Sequence, residues 1–158
     1  MNSSTIIRLD DRLIHGQVVV GWGSVYSFDR IIVANDEFAA SDWEKELLLL
    51  AAPTSANADV LTIAETAELL PTLHEESSNA IVLLNSPDDL LRLCNAVPSL
   101  KKVNLGGLHF KPGRSEILRY LFMNQEEISL FKLLMDEGVN FECLDVPGGD
   151  PKDLAALI

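Results

Sequence analysis

The chain has 158 residues, 47% hydrophobic and 23% charged, with 12 basic against 24 acidic side chains and a formal net charge of −12. A length of this order suits one domain, here residues 1–158, whose core buries about two thirds of the unfolded surface. The composition lacks the apolar-poor, charge-rich signature of disorder. The acidic excess opposes binding to phosphate backbones and to anionic lipid, which argues against nucleic acid as a partner.

Cys94 and Cys143 stand apart, with no His or Cys at metal-ligand spacing, and are expected to be core thiols in a reducing compartment. Residues 1–10 hold no basic stretch followed by a long apolar run, and no segment approaches the roughly 18 apolar residues of a membrane span. A cytoplasmic protein is expected.

Residues 5–9 form a β-branched run that breaks at Asp10-Asp11-Arg12, and residues 16–26 carry apolar side chains at helical spacing. Residues 30–34 follow as a buried strand. Asn35-Asp36 cap a helix over 37–52 that stops near Pro53. A third strand is expected at 59–63 before a helix at 64–70. A fourth at 80–84 precedes Ser86-Pro87-Asp88-Asp89, a helix start, with that helix running to about Ala96. Residues 102–105 make a fifth strand that the Gly106-Gly107 pair breaks. Pro112-Gly113 marks a turn before the apolar stretch 117–122, so that 103–122 reads as a candidate antiparallel hairpin. Asn124 caps a helix through Glu137, Gly138 ends it, and 141–146 supply a last strand before a short helix from Pro151. Alternation of apolar strands with helices predicts an α/β fold: an open, mostly parallel sheet with helices on both faces. Ligands in such sheets bind beyond the carboxyl ends of the strands. The loop after the first strand is therefore the first candidate site.

That loop, Arg8-Leu9-Asp10-Asp11-Arg12-Leu13-Ile14-His15-Gly16-Gln17, sets two cations, two carboxylates and an imidazole between a strand and a helix start. A neutral imidazole is a nucleophile near neutral pH, a carboxylate can fix its tautomer, and guanidinium groups can neutralise phosphate oxygens. Gly16 contributes backbone N–H groups at a helix N-terminus, which suit an anion. These are the parts that phosphoryl transfer needs. On residue types alone, a surface or capping role for His15 stands beside catalysis.

Residues 8–18 closely resemble the active loop of the IIB components of the mannose, fructose and sorbose family of the bacterial phosphoenolpyruvate-dependent sugar phosphotransferase system (PTS). The family pattern is Arg-Ile-Asp-Asp-Arg-Leu-Ile-His-Gly-Gln-Val, and Leu9 is the one departure. The likeness continues through Trp22, Arg30 to Val33, Asn35-Asp36-Glu37, Ala52-Pro53 and Val103 to Gly107, and from Ser115 onward it lies mainly in the layout. The resemblance implies a phosphohistidine at His15, charged by a histidine-phosphorylated IIA protein and discharged to a sugar of the mannose, fructose, sorbose or N-acetylgalactosamine class. The sugar would be held by IIC and IID membrane partners, with which the protein would associate peripherally, and no metal or organic cofactor is implied. Arg8, Asp10, Arg12, Gly16 and Gln17 are assigned to binding or orienting the phosphate. Asp11 is either part of that group or a turn residue facing solvent. The alternative function is a regulatory module whose His15 phosphorylation state a partner senses.

His74, in a polar stretch, reads as a solvated helix end. His109 reads as an interface or turn residue whose loop could flank the active face, and Trp22 and Trp43 read as core or interface packing residues. The Gly106-Gly107 pair lies in no nucleotide-binding context. Lys111 and Arg114 would join Arg8 and Arg12 in a positive patch if their loop folds toward the same end of the sheet.

Overall fold

The computed structural model describes residues 4–75 and 79–158. Met1 to Ser3 of the N-terminal reading and Glu76 of the polar stretch after His74 lie outside the described residues. Seven strands form one sheet: β1 (Thr5–Asp10), β2 (Arg30–Ala34), β3 (Asn57–Leu61), β4 (Ala80–Leu84), β5 (Lys102–Gly107), β8 (Asn140–Cys143) and β9 (Lys152–Asp153), in the order β3-β2-β4-β1-β5-β8-β9. All neighbours run parallel except β9, which lies antiparallel to β8 at the edge. β4 is buried at every residue, as its unbroken apolar sequence requires in a sheet covered on both faces.

Alternate side chains of the strands feed two cores. Leu9, Ile32, Ala34, Val82 and Leu84 face α4 (Ile63–Glu75), α5 (Pro87–Ala96) and α6 (Gln125–Asp136). Ile31, Val33, Ile81 and Leu83 face a layer made of a π-helix (Gln17–Trp22), α1 (Gly23–Tyr26), α2 (Asp36–Ala39) and α3 (Asp42–Leu49). The expected parallel sheet with helices on both faces is the observed architecture. Burial pushes the Cys94 thiol up to about 11 and the Cys143 thiol up to about 12, as suits inert core thiols.

Several elements depart from the local pattern. The helix expected over 16–26 begins as a π-helix in which the Gly23 N–H reaches the Val18 carbonyl. Three successive valines and two glycines hold the α-form weakly, and the wider turn buries both Val18 and Trp22. The helix expected over 37–52 is two helices, because Ser41 takes an extended backbone and its hydroxyl accepts from the Glu44 N–H at 3.4 Å. The helix expected to end at Leu70 continues through Pro71. Burial of Leu70 and Leu73, each contributing about 1.5 to 3 kcal/mol, offsets a proline cost of about 3 kcal/mol.

The glycine pair does not end β5; both residues stay in the strand. The hairpin is confined to β6 (Ser115–Leu118) and β7 (Leu121–Met123), a separate two-stranded sheet that leaves 103–107 in the main one. β8 ends at Cys143, and the helix expected from Pro151 is β9 followed by a single 3-10 turn, Leu154–Ala156, that buries Leu154.

α6 opens with a capping box: the Asn124 side chain accepts from the Glu127 N–H at 2.8 Å, and Glu127 Oε1 accepts from the Asn124 N–H at 2.9 Å. Gly138, at φ +97°, closes the far end in the left-handed region. Asn124→Ala should lower folding stability by about 1 kcal/mol, read as a shift in the urea midpoint at unchanged slope.

Candidate active site

β1 lies between β4 and β5, and the segments that leave these strands part to opposite faces. The π-helix after β1 lies on one face, whereas α5 after β4 and α6 beyond β5 lie on the other. Such a divergence opens a crevice at the carboxyl end of β1. The register between β1 and β5 shifts there, with Leu9 opposite Leu105 and Asp10 opposite Gly107, so Gly106 is the extra residue of a bulge. Bulges of this kind re-aim a side chain beside a site. The chain then turns: the Leu13 N–H donates to the Asp10 carbonyl at 3.0 Å, and Leu13 takes φ +58°, a costly conformation for a leucine, with its side chain buried among Val18 and Trp22.

Asp10 is the hub. Its Oδ2 accepts from Arg8 Nη2 at 3.1 Å and Arg12 Nη2 at 3.0 Å, and lies 3.0 Å from His15 Nε2. Its Oδ1 accepts from Arg12 Nε at 3.0 Å and from the Arg12 backbone N–H at 3.1 Å. The side chain is fully buried. Burial alone would raise its pKa. Hydrogen bonds from His15 and Arg12, with the charge of Arg8, outweigh that and hold the carboxyl well below the usual carboxylate range.

Arg8 lies beneath the loop, fully buried, and burial pulls its guanidinium below the ordinary value while Asp10 opposes the shift. It donates to the carbonyls of Leu144 and Asp145, each at 2.9 Å, and to Asn104 Oδ1, and it stacks over Trp22 at 4.9 Å. Its Nε has no hydrogen-bond partner among the described residues. Gly106 makes room for it: a Cβ there would overlap the guanidinium. Arg12, by contrast, is 31% exposed at the mouth. Gly16 is exposed, takes a helical backbone and has open space where a Cβ would sit, and Gln17 opens the π-helix.

The 107–114 loop does fold to this end. The Asp11 N–H donates to the Gly107 carbonyl at 3.0 Å, and the Asp11 carboxylate accepts from the His109 N–H at 2.7 Å and meets His109 Nδ1. Asp11 is thus a tether between two loops. Arg114 is only 7% exposed, held by Glu127 at 2.9 and 2.6 Å, so with Arg8 it leaves the expected surface patch. Lys111 is exposed, and Arg119, not anticipated, stands in solvent 3.7 Å from Asp145. Asn104, Gly106 and the Leu144 and Asp145 carbonyls were also missed, the one signal being a polar Asn104 in an apolar strand. His74 lies on α4, outside this group.

The PTS system sorbose subfamily IIB component family matches residues 4–158. The chain belongs to that family. It is 31% identical over 158 residues to the fructose-specific EIIB component of Bacillus subtilis, covering 100% of this chain and 97% of that protein. It is 33% identical over 147 residues to the mannose-specific EIIAB component of Escherichia coli, covering 93% of this chain and 45% of that longer protein. A solved phosphoenolpyruvate-dependent phosphotransferase system protein superposes with TM-score 0.85 at 32% identity, over 99% of this chain and 97% of that one. The IIB domain of the sorbose permease from Klebsiella pneumoniae gives 0.84 at 26%, over 99% and 95%. The PTS IIB chain is therefore a phosphoryl carrier of a sugar phosphotransferase system.

Three substitutions test the candidate site of this IIB component. Gly106→Ala should displace Arg8 and destabilise strongly, whereas Gly16→Ala should leave stability almost unchanged; calorimetry compares them. Asp10→Asn removes the charge facing buried Arg8 and should cost about 3 kcal/mol. Because the Asp10 pKa is depressed, its contribution is complete above the ordinary value of 3.8 and is lost as pH falls below that toward the lowered one. Urea midpoints taken from about pH 5 to about pH 2.5 should therefore fall more steeply for the parent than for Asp10→Asn.

Proposed function

We propose that His15 is the residue that carries the phosphoryl group, taking it from a histidine-phosphorylated IIA protein and passing it to a sugar bound by IIC and IID membrane components. The sugar would belong to the mannose, fructose, sorbose or N-acetylgalactosamine class. The observation that carries this reading is the 3.0 Å contact of His15 Nε2 with the buried, ionised Asp10 carboxylate. A carboxylate can only accept, so it fixes the proton on Nε2 and leaves the nucleophilic lone pair on Nδ1.

Nδ1 then attacks phosphorus, the donor's P–N bond breaks, and its electron pair returns to the donor imidazole. As the His15 ring gains positive charge, the Nε2–H to Asp10 contact strengthens, which favours the transition state over the ground state. Arg12, the more exposed arginine of the site, is the guanidinium we assign to the phosphate oxygens, with the start of the π-helix at Gly16 and Gln17 beside it. Arg8 acts through Asp10 as a positioning residue. In the second half-reaction a sugar hydroxyl oxygen attacks phosphorus, the N–P bond breaks, and the hydroxyl proton passes to a base at the sugar site. None of the described helices is long and apolar enough to cross a membrane, which suits a carrier that docks on its membrane partners from one side.

Incubation with phosphoenolpyruvate, the general phosphotransferase proteins and a IIA protein should add one phosphate, mapped by mass spectrometry to His15 and by nitrogen NMR to Nδ1. The label should be labile in acid and stable in base. His15→Ala should abolish it with the fold intact, and Arg12→Lys should slow transfer about a hundredfold, since an ammonium cannot reproduce the planar fork. Phosphate appearing on His109 would overturn the assignment.

A further inference from the structure

The two helical layers of the molecule differ on their outer surfaces. Eight large apolar side chains among the described residues are exposed, and five of them lie on the layer that His15 leads into: Val20, Val25, Trp43, Leu47 and Leu50. The layer over the other face has Leu133 alone among its helices α4, α5 and α6. Within the first layer Trp43, Leu47 and Leu50 are 71%, 56% and 82% exposed and stand at spacings of four and three residues, so they form one stripe along α3 and its last turn. α3 follows α2, which leaves the carboxyl end of β2, the same end at which parallel β1 delivers His15. The stripe therefore starts at the active end and runs down the side of the molecule. Carboxylates border it, with Asp42, Glu44 and Glu46 against a single Lys45.

An apolar ridge with an acidic rim selects its occupant by charge. A second copy would set like charges together, and anionic lipid would be repelled in the same way. A protein surface with an apolar groove and a basic rim fits. Cytoplasmic loops of integral membrane proteins carry an excess of Lys and Arg, and aromatic residues gather at their water-facing edges. Resting on the function proposed above, we infer that the Trp43–Leu47–Leu50 stripe is the surface on which the IIC–IID permease docks, with Trp43 as its aromatic anchor.

The test separates the two half-reactions. Trp43→Ser with Leu50→Ser, and separately Glu46→Lys, change exposed side chains that touch neither Asp10 nor His15. Inside-out vesicles are used that bear a IIC–IID pair with which the parent supports sugar phosphorylation. The concentration of carrier giving half-maximal rate should rise about tenfold or more for each variant, while the rate of labelling by soluble phospho-IIA stays at the parent value. Unchanged vesicle kinetics with normal labelling would overturn the docking surface and leave the proposed function standing. So would equal binding to vesicles without the permease, slowed labelling by the soluble donor, or a parent dimer that the substitutions dissolve. A parent that takes no phosphate on His15 would remove the proposed function and this surface with it.

Discussion

A buried charge pair governs the active end of this molecule. Arg8 and Asp10 are both fully inaccessible, and an isolated charge of either sign would cost several kcal/mol there. The pair is tolerable because all but one of the charged donors and acceptors that make it up are hydrogen-bonded, the Arg8 Nε–H being the exception among the described residues. Arg8 spends its Nη1 and Nη2 groups on Asn104, two backbone carbonyls and Asp10, and Asp10 fills both oxygens with Arg8, Arg12 and His15. The consequence for chemistry is orientation: the imidazole is held at a carboxylate that stays ionised and cannot rotate away.

Local irregularity gathers around that pair. A glycine at the bulged position 106 leaves room for the guanidinium, Leu13 accepts a left-handed backbone, and the following helix is widened into a π-turn. Each of these departs from what its own sequence would adopt alone, and each is offset by burial nearby: Leu13, Val18 and Trp22 all enter the core. Strained or unusual backbone that persists beside a functional group is a recurring pattern, since surrounding packing must over-determine it.

The charge distribution follows a similar division. The chain is strongly acidic as a whole, yet the cations at its active end are sorted by depth. Arg8 is structural, Arg114 is consumed by Glu127 and fixes a loop to α6, and Arg12 stands at the mouth. The Asp11–His109 tether joins the first loop to the 107–114 loop, so the mouth is built by two segments far apart in sequence and hydrogen-bonded to each other.

Most strands, the caps at Asn35, Ser86 and Asn124, the parallel sheet with two helical layers, and the loop carrying Asp10, Arg12 and His15 were legible because apolar runs, capping residues and a dense charged motif are local properties of a sequence. The division of residues 37–52 at Ser41, the passage of α4 through Pro71, the π-turn and the survival of β5 through two glycines were not, since in each case packing across the sheet outweighs a local preference. The depth of Arg8 is the clearest instance. Apart from Asp10, its hydrogen-bond partners come from residues 104, 144 and 145, roughly a hundred or more positions along the chain, and a charge's burial depends on who meets it as well as on its neighbours in sequence. The sequence by itself determined that Arg8, Asp10, Arg12 and His15 share one short segment after a buried strand; only the tertiary structure decided which arginine faces the solvent and which one holds the carboxylate from below, because burial and pairing are long-range properties.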